Sequence, residues 1–428
     1  MRGLLCAALL FPSLLLAESV DFDEAQKLAL FNNPSIRAAY STIAQARGRL
    51  LQAGLWPNPE IDLAWRSDAF FGGEGQNRTM ASLMQRLPWS GRLGRAQSVS
   101  RVEVAMALTE VRDAERQLMF DVQKAFIEVR TAAEKRNVLQ SLIKSVDSLI
   151  SLNEARRQAG EASAIAVNLG KVEKEGLRQQ LLALEADESA ALATLKGLLG
   201  KEASASLTTK GSLASIIERL RQSTSGKTLY RPDLVRITLE ADAATAEIAL
   251  ARAEAWEDIT VGVEYEFERT TNGEEGLMND NMLGFRVIVP LPLWNRNQGT
   301  IAEKTASRER ASQTLVAAKL NIEAEIAAAR VRAVKAAAVA ALIQKDSLPL
   351  LDETRGVLER AIQTGQADTT EAITLTNQEI EQRLFHVEAL ATLAQSLSEV
   401  EAALGANRYL HRDIFINTLH EKISAPKR

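Results

Sequence analysis

Residues 259–267 alternate without a break. Ile259, Val261, Val263, Tyr265 and Phe267 are separated by Thr260, Gly262, Glu264 and Glu266. A period of two is that of a β-strand with one apolar and one polar face. Three more segments share it. Ile61, Leu63 and Trp65 alternate with Asp62 and Ala64; Leu283, Phe285, Val287 and Val289 alternate with Gly284, Arg286 and Ile288; residues 79–87 alternate more weakly. Gly72-Gly73 and Asn272-Gly273 mark two hairpin loops. The pattern predicts strands over about 59–71, 79–88, 257–269 and 282–293. About ten residues is the length that crosses the apolar band of a membrane barrel when tilted. All five tryptophans, Trp56, Trp65, Trp89, Trp256 and Trp294, fall in or beside these segments, as an aromatic belt at a membrane boundary would require. A four-stranded sheet in water with tryptophans at its rim satisfies the same pattern. In lipid the count is decisive. Four strands cannot close a barrel, whose smallest examples have about eight, and an open sheet would leave its edges unpaired. The sheet must then be shared between chains. Two chains supply eight strands and an interior filled by side chains; three supply twelve and a lumen.

The rest of the chain reads as helix. No proline interrupts Arg92 to Gln158, a run on the order of 100 Å at about 1.5 Å per residue. A similar run extends from Gln298 to Thr364, with Pro349 predicted to kink it. Shorter helices are predicted over about 21–55, 163–199, 232–256 and 367–404. Leu390, Leu393, Leu397, Val400 and Leu404 step by three and four, the seam of a coiled coil, and Leu177, Leu181 and Leu184 begin another. Alanine takes over at 327–329 and 336–341, allowing close helix approach. Low aromatic content, 5%, fits such packing.

The chain also repeats itself. Asn33-Pro34 and Arg231-Pro232 each open a helix with proline in its first turn, where a missing N–H is harmless. Two alternating segments and a proline corner follow in each half, Leu87-Pro88-Trp89 and Leu291-Pro292-Leu293-Trp294. A long helix then meets a glycine, at Gln158-Ala159-Gly160 and Gln363-Thr364-Gly365. The halves are roughly 200 residues apart, too long for a solenoid unit. We assign 18–226 and 227–428 to the two repeats, with a tail from about 405. Arg2 and the apolar run Leu4–Leu16 read as an export signal over 1–17. The one cysteine, Cys6, lies inside it, so disulfides and cysteine-based redox chemistry are excluded once it is removed. A net charge of −4 carries no nucleic-acid footprint. His386, His411 and His420 share no metal-ligand spacing, the seven methionines form no cluster resembling a soft-metal site, and no nucleophile or phosphate-loop motif appears. No catalytic residue, cofactor or metal site is predicted.

The duplicated plan, with Asn33-Pro34, Trp56-Pro57-Asn58-Pro59, Gln85-Arg86-Leu87-Pro88 and Pro290-Leu291-Pro292-Leu293-Trp294-Asn295-Arg296-Asn297-Gln298-Gly299, resembles the TolC family of outer-membrane efflux proteins. The last stretch is similar to the branch serving heavy-metal pumps of the resistance-nodulation-division (RND) class. The resemblance implies a mainly α fold with a small membrane β-barrel contribution. Four strands per chain would form a twelve-stranded barrel in a homotrimer, continued by a long periplasmic α-barrel. It implies residence in the outer membrane of a Gram-negative cell. It also implies partnership with a periplasmic adaptor and a proton-driven inner-membrane pump, and passive conduction of cargo such as divalent heavy-metal cations. A duct for drugs or secreted proteins shares the fold; a soluble periplasmic coiled-coil scaffold explains the helices but not the strands with their tryptophans.

Candidate working residues follow. Gly160 and Gly365 would turn the chain at the end farthest from the membrane, where the family meets its adaptor, with Gln158, Ser163, Gln363 and Thr369 beside them. Asp368 and Glu371 would open the returning helix, where acids complement the helix dipole. In the family, aspartates here ring a closed aperture; Glu371 takes the first such place, Thr374 the second, and Ala166 stands at the matching position of the first half. Glu264 and Glu266 would line a barrel lumen, since carboxylates cannot face lipid cheaply.

Overall fold

The computed structural model describes residues 18–69, 72–73, 75–160, 163–225, 231–272, 276–363 and 369–406. The export signal at 1–17, Gly273, Gly365, Asp368 and the tail beyond 406, with His411 and His420, lie outside the described residues. Two compact units each draw on both halves of the sequence.

Among the described residues the first unit draws on 18–38, 112–231 and 321–406. A short strand β1 (Glu18–Val20) leads to helix α1 (Phe22–Asn32), opened by a capping box in which Asp21 and Glu24 bond each other's backbone N–H. The predicted run 21–55 is therefore two helices, because Asn33 ends α1 and caps α2 (Pro34–Ala53). Its Oδ1 accepts from Ser35 N at 2.8 Å while its Nδ2 donates to the Leu198 carbonyl at 2.8 Å. Helices α3 (Arg92–Gln158) and α4 (Ala164–Leu198) follow the predicted boundaries closely. Two elements lie outside the segments predicted from the sequence. Strand β4 (Leu207–Thr209) pairs in parallel with β1, and helix α5 (Leu213–Thr224) follows it. The core joins Phe126, Ile127, Leu195, Leu199, Leu213, Ile216 and Leu220 with Ala394 and Leu397 of helix α9 (Thr369–Leu404). Four of the five predicted seam residues of α9 are buried, and Leu390 packs against them. Ala329, Ala333, Ala336 and Ala340 are buried in the same core.

The interruption expected at Pro349 is a π turn. Helix α7 (Gln298–Leu342) widens at Ile343–Ser347 before α8 (Leu348–Gln363) resumes. Leu348 N reaches back to the Ile343 carbonyl. The wider turn relieves the clash a proline ring makes with the carbonyl four residues earlier.

The second unit, 39–111 and 232–320 among the described residues, holds one antiparallel sheet of four strands. Its order is β2 (Glu60–Ser67), β3 (Asn77–Leu87), β5 (Ile259–Asn272) and β6 (Gly276–Ile288). Helix α6 (Pro232–Glu254) precedes β5, and Ile43, Ala46, Val104, Ala107 and Val111 form a small core. Strand β6 lies earlier than the predicted 282–293. Pro290 and Pro292 cannot donate to a ladder, so pairing ends before them. In the other direction the register continues to Asn272 opposite Gly276.

Candidate functional site

The sheet has two chemically opposite faces. Because every pair joins residues of the same parity, odd-numbered residues share one face. Ile61, Leu63, Trp65, Leu83, Val263, Tyr265, Leu283, Phe285 and Val287 stand there, all exposed, with Leu63 at 74% and Phe285 at 80%. Bare aliphatic and aromatic surface on this scale marks a face that some apolar phase covers.

The even-numbered face carries six carboxylates, Glu60, Asp62, Glu264, Glu266, Glu268 and Asp280, against four guanidiniums, Arg66, Arg78, Arg86 and Arg286. Glu264 and Glu266 stand on it as anticipated from the alternation, but not as free charges. Arg286 Nη2 lies 2.6 Å from Glu264 Oε2, and Arg78 bridges Glu266 through Nε at 2.6 Å and Glu268 through Nη2 at 2.9 Å. Arg86 meets Glu60 at 2.6 Å. Arginines on neighbouring strands were invisible as partners until the register was known. Gly284 makes room here: a Cβ on it would crowd the Glu264 side chain.

The strands meet the helices at a locked corner. Trp89 and Trp256 pack edge to face with centroids 5.4 Å apart, and Trp89 Nε1 donates to the Glu257 carbonyl at 2.9 Å. Arg92, at the start of α3, forks onto Asp258 with bonds of 2.7 and 2.5 Å. That hydrogen bonding holds the Asp258 carboxyl below its ordinary range, against a smaller opposing effect of burial. Gln85 donates to the Pro57 carbonyl at 2.9 Å. Asn297 adopts φ of 58° and donates from Nδ2 to the Ala251 carbonyl at 2.8 Å, tying the entry of α7 to the end of α6. Asparagine is one of the few residues that enter this region readily. The proline-rich stretch 290–299 thus has a local structural task. Trp56, Trp65, Trp89, Trp256 and Trp294 are all substantially exposed.

At the far end of α3, Gly160 has φ of +80° and Gln158 is exposed as the last helical residue. Ser163 caps α4, its Oγ accepting from Ala166 N at 3.2 Å. Gln363 ends α8 and Thr369 begins α9. Glu371 is exposed in the first turn of α9. A groove of about 460 Å³ lies among α3, α8 and α9, with Lys144, Leu149, Arg355, Leu358 and Glu379 in its lining. Glu379 there accepts from both Arg355 and Arg383, at 3.1 and 2.8 Å. Among the described residues, no group of three or more His, Cys, Asp or Glu side chains is placed to hold a metal ion, and no helix is long and apolar enough to cross a membrane.

The family model for outer membrane efflux proteins matches residues 25–201. The solved structure of CusC, a protein described as undergoing folding and transmembrane channel formation, superposes with a TM-score of 0.72. The superposition covers 90% of this chain and 91% of that one, at 16% identity. Over residues 25–201 this chain is similar to the outer membrane efflux protein family. Two relatives extend the comparison. The cobalt-zinc-cadmium resistance protein CzcC of Cupriavidus metallidurans is 21% identical over 393 residues, 91% of each chain. The pyoverdine export outer membrane protein OpmQ of Pseudomonas putida is 23% identical over 310 residues, 68% of this chain and 65% of its own length.

One buried group escaped the sequence reading. Glu401 follows Val400 in the apolar seam of α9 and is almost fully buried. Gln123 of α3 and Ser223 of α5 donate to it, and Gln123 also links to Gln26 and Ser398. Burial raises its carboxyl above the ordinary range, outweighing those hydrogen bonds. The signal in sequence was an acid beside an a/d position, a pattern shared by many solvent-facing glutamates.

Proposed function

We propose that three copies of this chain form a passive outer-membrane efflux duct. Each copy would contribute its four strands to a twelve-stranded barrel and its long helices to a periplasmic tube. The observation that carries this reading is the sheet itself. It has a bare apolar face, a charged opposite face, and two outer strands, β2 and β6, with no further strand beside them among the described residues. Trimeric closure would pair β2 of one copy with β6 of the next and leave a lumen. Exposed Val331, Val334, Leu342 and Leu350 on α7 and α8 fit further contacts between copies. The tryptophans would sit at the membrane boundary, and Glu264 and Glu266 would line the lumen.

The tip residues Gln158, Gly160, Ser163, Gln363, Gly365 and Thr369 would meet a periplasmic adaptor, and Asp368 and Glu371 would ring the aperture. Energy would come from an inner-membrane RND pump. The match along 91% of CzcC favours divalent heavy-metal cations as cargo; the shorter match to OpmQ favours an exported organic compound instead. The mass of the purified protein tests the assembly: a detergent-dependent trimer that conducts in planar bilayers is expected. A monomer that stays in solution without detergent overturns the duct. For cargo, deletion of the gene should sensitise cells to cobalt, zinc or cadmium; sensitivity only to organic toxicants refutes the metal reading. Glu371→Ala is expected to change conductance or cation block, and unchanged behaviour removes Glu371 from the aperture.

A further inference from the structure

Methionines, scattered in sequence, converge on the sheet. Met80 and Met84 of β3 and Met278 and Met282 of β6 all occupy the even-numbered, charged face, four of the seven in the chain. A thioether gains nothing from lipid on that face and packs against no core cluster there. Met84 has a local explanation, since its sulfur lies over Gly262, where a Cβ would collide with it. Met80 and Met282 have no such glycine. They flank Glu266 directly: Met80 is its register partner on β3 and Met282 its partner on β6. Neighbouring strands lie about 4.8 Å apart, so two long, flexible thioethers stand on either side of one carboxylate. Arg78 holds Glu266 Oε1 at 2.6 Å and orients the carboxylate.

We propose that Met80, Glu266 and Met282 form a weak transit site for a soft, thiophilic cation on the wall of the duct. Thioether sulfur selects soft ions such as Ag(I) or Cu(I) over harder divalent ones. The carboxylate supplies charge, and the excess of carboxylates on this face draws cations rather than anions. The nearby guanidinium keeps binding loose, which a conducting wall requires, since a passing ion must leave as readily as it enters; such a soft ion would travel in addition to the divalent cargo favoured above. The inference rests on the sheet lining a lumen, as proposed above.

The test uses the full-length protein in detergent, labelled with methyl-13C methionine and titrated with silver nitrate in chloride-free buffer. Its trimeric mass is checked first, so a failed assembly counts against the duct and a failed titration against this site alone. Methyl signals, assigned with Met80→Leu and Met282→Leu, should shift together for Met80 and Met282. Buried Met119 should stay still, and Zn(II) should move none of them. Each leucine variant, which keeps the side-chain volume, should weaken silver binding at the remaining methionine by about tenfold, the loss expected when one of two linked contacts is removed. Glu266→Gln should weaken both. The proposal is overturned if Met80 and Met282 titrate independently, respond no more strongly than Met278, or do not respond.

Discussion

Leu283→Arg asks directly whether the apolar face of the sheet meets lipid. Leu283 lies in the row Leu63, Ala81, Tyr265, Leu283, near the middle of the strands, and is 72% exposed. In a bilayer, arginine at mid-depth on the lipid face of a barrel costs about 2–4 kcal/mol, which lowers the folding equilibrium roughly 30- to 700-fold per chain. In water, replacing an exposed leucine shifts stability by less than about 0.5 kcal/mol. Urea titration of folding into lipid vesicles, followed by tryptophan fluorescence, reads the difference. Leu277→Arg, near the start of β6, should cost only about 0–1 kcal/mol, because the penalty fades toward the interface. Met282→Arg, one residue away but on the opposite face, should also cost little. If Leu283→Arg unfolds at the same urea concentration as the parent protein, the face does not meet lipid and the barrel argument fails.

Three further outcomes are expected. Arg78→Ala leaves Glu266 and Glu268 without their shared cation, so the trimer should become more cation-selective; an unchanged reversal potential under a KCl gradient would remove this pair from the permeation path. Burial raises the Glu401 carboxyl, so the folded chain keeps a proton that the unfolded chain has already released. Stability should therefore fall as pH rises from the ordinary carboxylate range through the raised value. Glu401→Gln should flatten that part of the Tm profile, and an identical profile in both proteins would contradict the assignment. Asn297→Ala loses both the bond to Ala251 and a side chain tolerant of positive φ, costing about 1–3 kcal/mol. Asn297→Gly, which keeps the conformation, should recover part of the loss in a thermal melt.

Local patterns in this chain were legible because each element carries its own period. The alternation at 259–267, the proline-free run from Arg92 to Gln158 and the heptad of α9 name their elements without reference to anything distant. Strand and helix ends were less so where a single residue decides. Asn33 splits one predicted helix in two by capping, and Pro290 ends β6 by withholding a donor. Strand β4 was missed because three residues carry too few periods to read, whereas α5 left a signal that went unread: Ser212 as its cap and Leu213, Ile216, Ile217 and Leu220 at helical spacing.

Partnership is what only the tertiary structure decided. Sequence alone determined that Glu264 and Glu266 face away from the apolar residues, since parity along one strand requires it. Which groups meet them depends on the register between strands far apart in the chain. That register brings Arg78 of β3 to Glu266 and Glu268 of β5. It also sets Met80 and Met282 on either side of one carboxylate. The buried contact of Glu401 with Gln123 arises in the same way, from helices packed across 278 residues of sequence. A residue's face is a property of its own segment, whereas its neighbours are set by how segments pair, and pairing is specified by the whole fold.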